Sequence, residues 1–199
     1  MKAKSSRKSR TSLIIKQIPL IVVLLIFVLL WRYESHKSQK NLDKMFDKIV
    51  SIESAKTSFI QKYRDVVMGI NPELNSFECI MVLSCVYDNG RRFGLDPELV
   101  LAIIENESEF DRKALSPVGA KGLMQVMPGT GKLVARYVGM LEYDLYEIPD
   151  NIAIGCCYLM VLLEYHNERI ALAIYNAGGN YEYGIDYAND VLADKEKWL

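Results

Sequence analysis

Hydrophobic and polar positions divide the chain into stretches of different period. From Ile18 to Trp31 no charged residue occurs, and the apolar run reaches back to Leu13 if Lys16 turns its ammonium toward lipid headgroups. That length is close to the roughly 20 residues that cross a bilayer core. Beyond His36 the pattern becomes periodic: Leu42, Met45, Phe46, Ile49 and Ile52, then Phe59, Ile60, Tyr63, Val66 and Val67 stand in a polar background. This spacing predicts an amphipathic helical stalk with one weak turn at Ala55-Lys56. The stalk is open to self-association, although a coiled coil would need a longer and cleaner heptad. Asn71-Pro72 breaks the helix and marks a predicted domain boundary.

Helical period also dominates residues 72–199, so this domain is expected to be mainly α. Cys79, Ile80, Val82, Leu83 and Val86 outline a helix that runs into Arg91-Arg92-Phe93-Gly94. Asp96-Pro97-Glu98 reads as a helix start, with a capping oxygen, a proline in the first turn and an acid facing the helix dipole. The apolar stripe of that helix, Leu99, Val100, Ile103 and Ile104, lands one turn later on Glu107, while Glu105 and Asn106 fall elsewhere on the wheel. Residues 116–128 hold two glycines and two prolines, which predicts a shaped, turning backbone with one amide, Gln125, able to face a site. Further helices are expected from near Gly129 or Thr130 and from Asp150-Asn151-Ile152. A central one, apolar all round at Ile170 to Ile174, is expected to end in Tyr175-Asn176-Ala177-Gly178-Gly179.

Charge sharpens the N-terminal reading. Lys2, Lys4, Arg7, Lys8, Arg10 and Lys16 precede the first acid, Glu34, so the cation excess lies before the apolar run. The expected layout is a cytoplasmic tail over 1–12, a single transmembrane anchor over 13–31, a stalk over 32–71 and an exported domain over 72–199. Trp31-Arg32-Tyr33-Glu34 lacks the small residues of a signal cleavage site, so the anchor is expected to stay attached. Over the whole chain Lys+Arg 24 nearly balances Asp+Glu 25, which argues against a nucleic-acid binder. Two distant histidines, His36 and His166, make a metal site or a Ser-His-Asp triad unpromising. Cys79, Cys85, Cys156 and Cys157 would sit in an oxidising compartment, either as buried thiols or with Cys79 or Cys85 bridged to Cys156.

Glu107 is the candidate for chemistry. A carboxyl ending an apolar stripe faces the interior or a groove, and burial disfavours its ionised form. An acid still protonated near neutral pH suits general-acid cleavage of an acetal. The plainer alternative is a helix-end glutamate that bends into water or pairs with a cation.

Four motifs in series decide between these. Glu107-Ser108 followed by Phe110, Ser116 to Ala120, Gly122-Leu123-Met124-Gln125-Val126-Met127-Pro128, and Tyr175-Asn176-Ala177-Gly178 stand in order, with Asn151-Ile152, Gly155 and Tyr158-Leu159 between the last two. Over about residues 76–190 the chain resembles the SLT-type lytic transglycosylases, bacterial cell-wall enzymes with a lysozyme-like fold. It departs at Ile174, where the family usually has alanine or another small residue. The resemblance implies cleavage of the β-1,4 bond between N-acetylmuramic acid and N-acetylglucosamine, leaving a 1,6-anhydromuramoyl end, with Glu107 acting as acid and then base. It places Ser116, Gln125, Met127, Tyr175 and Asn176 around the saccharide: Ser116 on the N-acetyl group, Gln125 and the backbone near Met127 on sugar, and Tyr175 on the Glu107 carboxyl. It calls for no metal or cofactor. Peptidoglycan strands are the expected substrate, handled outside the inner membrane of a bacterium, for general wall turnover or beside partners in an envelope machine. Two alternatives remain at this level. One is a lysozyme-type hydrolase using Glu105, Glu109 or Asp111 as second acid; the other is a non-catalytic peptidoglycan-binding scaffold.

Overall fold

The computed structural model describes the backbone of residues 5–199 and the side chains from Val22 onward, so most of the predicted tail and the first part of the predicted membrane span lie outside the described side chains. The elements are helices α1 (Ser5–Ile70), α2 (Ser76–Phe93), α3 (Pro97–Ser108), α4 (Pro128–Tyr137), α5 (Ile148–Tyr165), α6 (Glu168–Ala177) and α7 (Ile185–Trp198), with a short 3-10 helix, Tyr181–Gly184, before the last. Among the described residues there is no strand; Lys121 alone makes isolated bridges, to Leu115 and to Val126. The chain divides after Ser54 into two compact units. In the first, the apolar side chains from Val22 to Trp31 are exposed along the helix. Leu42, Met45, Phe46 and Ile49 are exposed there as well.

The second unit begins earlier than the boundary expected at Asn71-Pro72. Helix α1 runs without a break through Ala55-Lys56, where a weak turn was expected, and its last turns bury Phe59, Tyr63 and Val67. The Phe59 ring meets Tyr63 at 4.8 Å and Tyr87 at 5.4 Å. Burying these large side chains outweighs the local signal of a proline further along. The stretch 55–70 therefore belongs structurally with the helical domain.

Local chemistry fixes the helices that follow. Asn75 and Glu78 close a reciprocal capping box at the start of α2, and Gly94, at φ 67°, ends it in the left-handed region that favours glycine. Asp96 caps α3 by accepting from the Glu98 N–H, with Pro97 in the first turn. Residues 99–104 of α3 are all buried, which makes α3 the central helix of the unit. The sequence pattern pointed to Ile170–Ile174 instead. There only Ala171, Leu172 and Ala173 are buried and Ile174 is half-exposed, so α6 lies on the core with one face. Half-exposure also explains how an aliphatic larger than alanine is accommodated at Ile174. Helix α5 starts two residues before the predicted opening, since Pro149 fits its first turn. It is long and apolar enough to cross a membrane, yet it lies in the core with Ile148 and residues 151–157 buried. Cys79, Cys156 and Cys157 are buried, Cys85 is half-buried, and all four are free thiols.

Candidate active site

Glu107 stands in the last turn of α3, and the chain beyond it makes an unusual exit. Glu109 and Phe110 both take positive φ, 49° and 62°. For non-glycine residues this costs about 1–2 kcal/mol each. Complete burial of Phe110, whose ring lies 6.0 Å from Trp198, offsets the strain.

The turning segment 114–126 is then clamped beside Glu107 from three helices. From α3, the Ser108 hydroxyl donates to the Leu123 carbonyl at 2.8 Å. From α5, Asn151 accepts from the Met124 N–H at 2.7 Å and donates to the Lys121 and Leu145 carbonyls at 2.8 Å each. Among the described residues, Asn151 is the only fully buried polar side chain, and every bond it makes is to backbone. From α6, the Tyr175 hydroxyl donates to the Met124 carbonyl at 2.8 Å. A side chain at Gly122 would meet the Leu145 carbonyl at 2.3 Å, so glycine is required for this approach. Gln125, at φ 45°, is held by its own amide donating to the Gly122 carbonyl at 2.9 Å. A left-handed glutamine braced from several sides is a local strain of the kind that gathers at functional sites.

The electrostatics single out Glu107. Burial pushes its carboxyl up to about 7, against a smaller lowering effect from the Tyr187 hydroxyl of α7. No cation pairs with it among the described residues. The Tyr187 hydroxyl is itself buried beside the carboxyl without a well-formed hydrogen bond. Burial first, and then the Glu107 charge, raise the phenols of both Tyr175 and Tyr187. A cavity of about 240 Å³ adjoins this group, its wall including Gln125, Met127, Thr130, Tyr158, Tyr175, Asn176 and Gly178. A second cavity of about 410 Å³, between the end of α1 and residues 108–113, holds none of the expected site residues.

Of the residues expected at the saccharide, Gln125, Met127, Tyr175 and Asn176 are brought together in one wall. Ser116 is not among them; its Oγ accepts from the Ala120 N–H at 2.9 Å and stabilises a turn. The expected bond from Tyr175 to the Glu107 carboxyl is absent because that hydroxyl is committed to Met124. Tyr187 takes the neighbouring position instead. Its signal in the chain is faint: it sits next to Ala188 at the edge of the buried stripe of α7, far in sequence from the acid it serves. The spare acids are otherwise engaged or exposed. Glu105 accepts from the Trp198 indole at 2.9 Å, Asp111 accepts from the Lys113 N–H at 2.8 Å, and Glu109 is exposed. Among the described residues no group of His, Cys, Asp and Glu could hold a metal ion.

The domain thus holds one half-buried acid without a cation partner among the described residues, near a tyrosine that lines a cavity. In comparison with known proteins, the model of the Transglycosylase SLT domain matches residues 84–189, more than half of the chain. The chain belongs to this family. A soluble lytic murein transglycosylase of Salmonella typhimurium is 44% identical over 98 residues, covering 46% of this chain and 15% of that protein. A membrane-bound lytic murein transglycosylase C of Mannheimia succiniciproducens is 39% identical over 94 residues, covering 45% of this chain and 26% of its own length. The chain thus spans about a seventh of the first of these relatives and about a quarter of the second. Among solved structures, an inactive Glu-to-Gln mutant of the lytic transglycosylase Slt of Pseudomonas aeruginosa aligns with a TM-score of 0.52 at 27% identity, over 58% of this chain and 23% of that one.

Proposed function

We propose that this protein is a membrane-anchored lytic transglycosylase that cuts the β-1,4 bond between N-acetylmuramic acid and N-acetylglucosamine in peptidoglycan, with Glu107 as its acid and base. The observation that carries the reading is the state of Glu107: a carboxyl with no cation partner among the described residues, raised to about 7 by burial, close enough to Tyr175 to act on its phenol, and Tyr175 lines a cavity together with Gln125, Met127 and Asn176. An acid tuned to that range still holds its proton near neutral pH and gives it up readily. The names of the relatives and the inactivity of the Glu-to-Gln Pseudomonas mutant support the same chemistry.

The proton of Glu107 goes to the departing glycosidic oxygen as the bond to the anomeric carbon breaks. The N-acetyl oxygen of the same sugar covers the cationic carbon, so no second carboxylate is needed at that stage. The C6 hydroxyl of that sugar then attacks and returns its proton to the Glu107 carboxylate. No water is consumed, and the tethered hydroxyl has a large effective concentration at the carbon. In this scheme Tyr175, Ser108 and Asn151 fix the 121–126 backbone that Gln125 and Met127 extend toward sugar, and Tyr187 faces the acid.

The anchor rests on the chain's own pattern of cations before an apolar run, since one relative is named soluble and another membrane-bound. On that reading residues 32–199 lie outside the cytoplasmic membrane, on the side where the substrate is. The test has two arms. Purified full-length protein should release muropeptides from isolated sacculi, and Glu107→Gln should not. A reporter fused after Leu199 should work only if it functions outside the cytoplasm, and an N-terminal tag should stay on the mature chain. A cytoplasmic C-terminus would overturn both orientation and substrate.

A further inference from the structure

From Arg112 to Leu141 the chain has no aspartate or glutamate, although it holds 25 such acids elsewhere, and five cations occur there: Arg112, Lys113, Lys121, Lys132 and Arg136. The last two stand on α4, whose start forms part of the cavity wall at Met127 and Thr130. Gly131, Val134 and Ala135 seat α4 on the core. Leu133 and Tyr137 follow Thr130 at steps of three and four, which puts them on the helix face that leads out of the cavity. Tyr137 lies about 10 Å along the helix from Thr130. Leu133 is 74% and Tyr137 71% exposed. Arg136, three residues from Leu133 and four from Lys132, borders this face. Among the described residues neither Lys132 nor Arg136 is ion-paired, and the Tyr137 ring packs on no other aromatic ring. Folding thus leaves an apolar ledge, continuous with the cavity wall and edged by two uncommitted cations.

Resting on the function proposed above, we infer that this face of α4 holds a muramic acid unit of a peptide-free strand beyond the sugars flanking the cut, with the ring on Leu133 and Tyr137 and the lactyl carboxylate on Arg136. The C–H face of a hexosamine is apolar and matches a phenol ring and a leucine side chain. The lactyl ether sits on the sugar ring itself, so ring and carboxylate arrive together, as the apolar and cationic residues do within one turn of helix. A guanidinium takes a carboxylate in a bidentate pair, and Lys132 adds to the same positive field. Attachment of a stem peptide turns that carboxylate into an amide and removes the charge Arg136 would read. Tyrosine on a regular helix also offers its area at small entropic cost, having two rotatable bonds.

Contacts made away from the bond bind ground and transition state alike, so they lower KM without changing kcat. In the Glu107→Gln background, affinity for purified peptide-free glycan strands should fall about fivefold for Arg136→Gln and by a similar factor for Tyr137→Ala. Tyr137→Phe keeps the ring and should retain most binding. Lys113→Gln, which removes the same charge in the wall of the other cavity, should leave binding unchanged. A chitin oligosaccharide of equal length lacks the lactyl carboxylate; it should bind more weakly than the strands and be indifferent to Arg136→Gln. In the active chain Arg136→Gln and Tyr137→Ala should raise KM on long peptide-free strands with kcat unchanged. Unchanged affinity and KM in both variants would overturn the ledge. An equal loss for Lys113→Gln would also overturn it, since any surface cation would then serve. So would an equal effect of Arg136→Gln on peptide-bearing strands, because the occupant would then be the peptide. If Glu107→Gln still cleaves sacculi, the catalytic reading falls, while the comparison of strands with chitin still decides the ledge.

Discussion

Helix α3 carries carboxyl groups at both ends, and the protein treats them in opposite ways. At its start, burial alone would raise Asp96, but hydrogen bonds from Glu98 and from Lys195 hold it below the usual range. Lys195 lies 3.1 Å from both Asp96 and Glu168, and the Tyr63 hydroxyl lies 2.7 Å from Glu98. Burial, then proton sharing with Asp96, raises Glu98, and every charge at this end has a partner. At the other end Glu107 has a buried phenol beside it and no cation. One end is solved as a structural problem. The other is left unsolved, and an uncompensated acid kept at a cost to the fold is the ground for the catalytic role proposed for Glu107.

Breaking the contrast at the acid should have the largest effect. Glu107→Gln keeps shape and removes the transferable proton, so sacculus cleavage should fall by about a thousandfold, within the range general acids supply. Turbidity loss of a sacculus suspension measures it, and retention of a tenth of the activity would remove Glu107 from the role.

The same substitution should stabilise the fold at alkaline pH. Native Glu107 holds its proton up to about pH 7, whereas an unperturbed carboxyl loses it near 4.5. The native state therefore binds more protons across that window, and its stability falls as pH rises through it. Glu107→Gln removes this loss, adding about 1–3 kcal/mol at pH 8 and nothing below pH 4. Thermal unfolding at the two pH values reads the difference; equal shifts at both would mean the carboxyl is not held in its acid form.

The paired end should respond in the other sense. Lys195→Met leaves Asp96 and Glu168 without their shared cation, which should cost about 1 kcal/mol of stability, as a partly exposed pair allows, with cleavage unchanged. A loss of activity exceeding the loss of folded protein would erase the distinction between the two ends. The smallest effect is expected from Tyr187→Phe. This hydroxyl lowers the Glu107 carboxyl, so its removal should move the alkaline limb of the pH–rate profile upward, by less than a unit, with little change in stability. A downward shift would contradict the position of Tyr187.

What could be read from the chain is what neighbouring residues decide. The capping aspartate, the proline and the apolar stripe of α3 lead to Glu107 without any knowledge of the fold, and the glycines and prolines of 116–128 announce turns. The misses have a common cause. Tyr187, Asn151 as a clamp on the Met124 backbone, and the docking of Phe59 and Tyr63 all depend on residues tens of positions away. Local periodicity carries no trace of such partners. Tyr175 illustrates the limit: its motif places it in the cavity wall, but only the fold shows that its hydroxyl serves Met124 rather than the acid.

The central claim is that one carboxyl suffices because the substrate supplies its own nucleophile. Mass spectrometry of the muropeptides released from purified sacculi by the full-length protein tests it directly. The account predicts 1,6-anhydromuramoyl ends as the main product, absent with Glu107→Gln. Reducing ends as the main product would show that water attacks, and would contradict it.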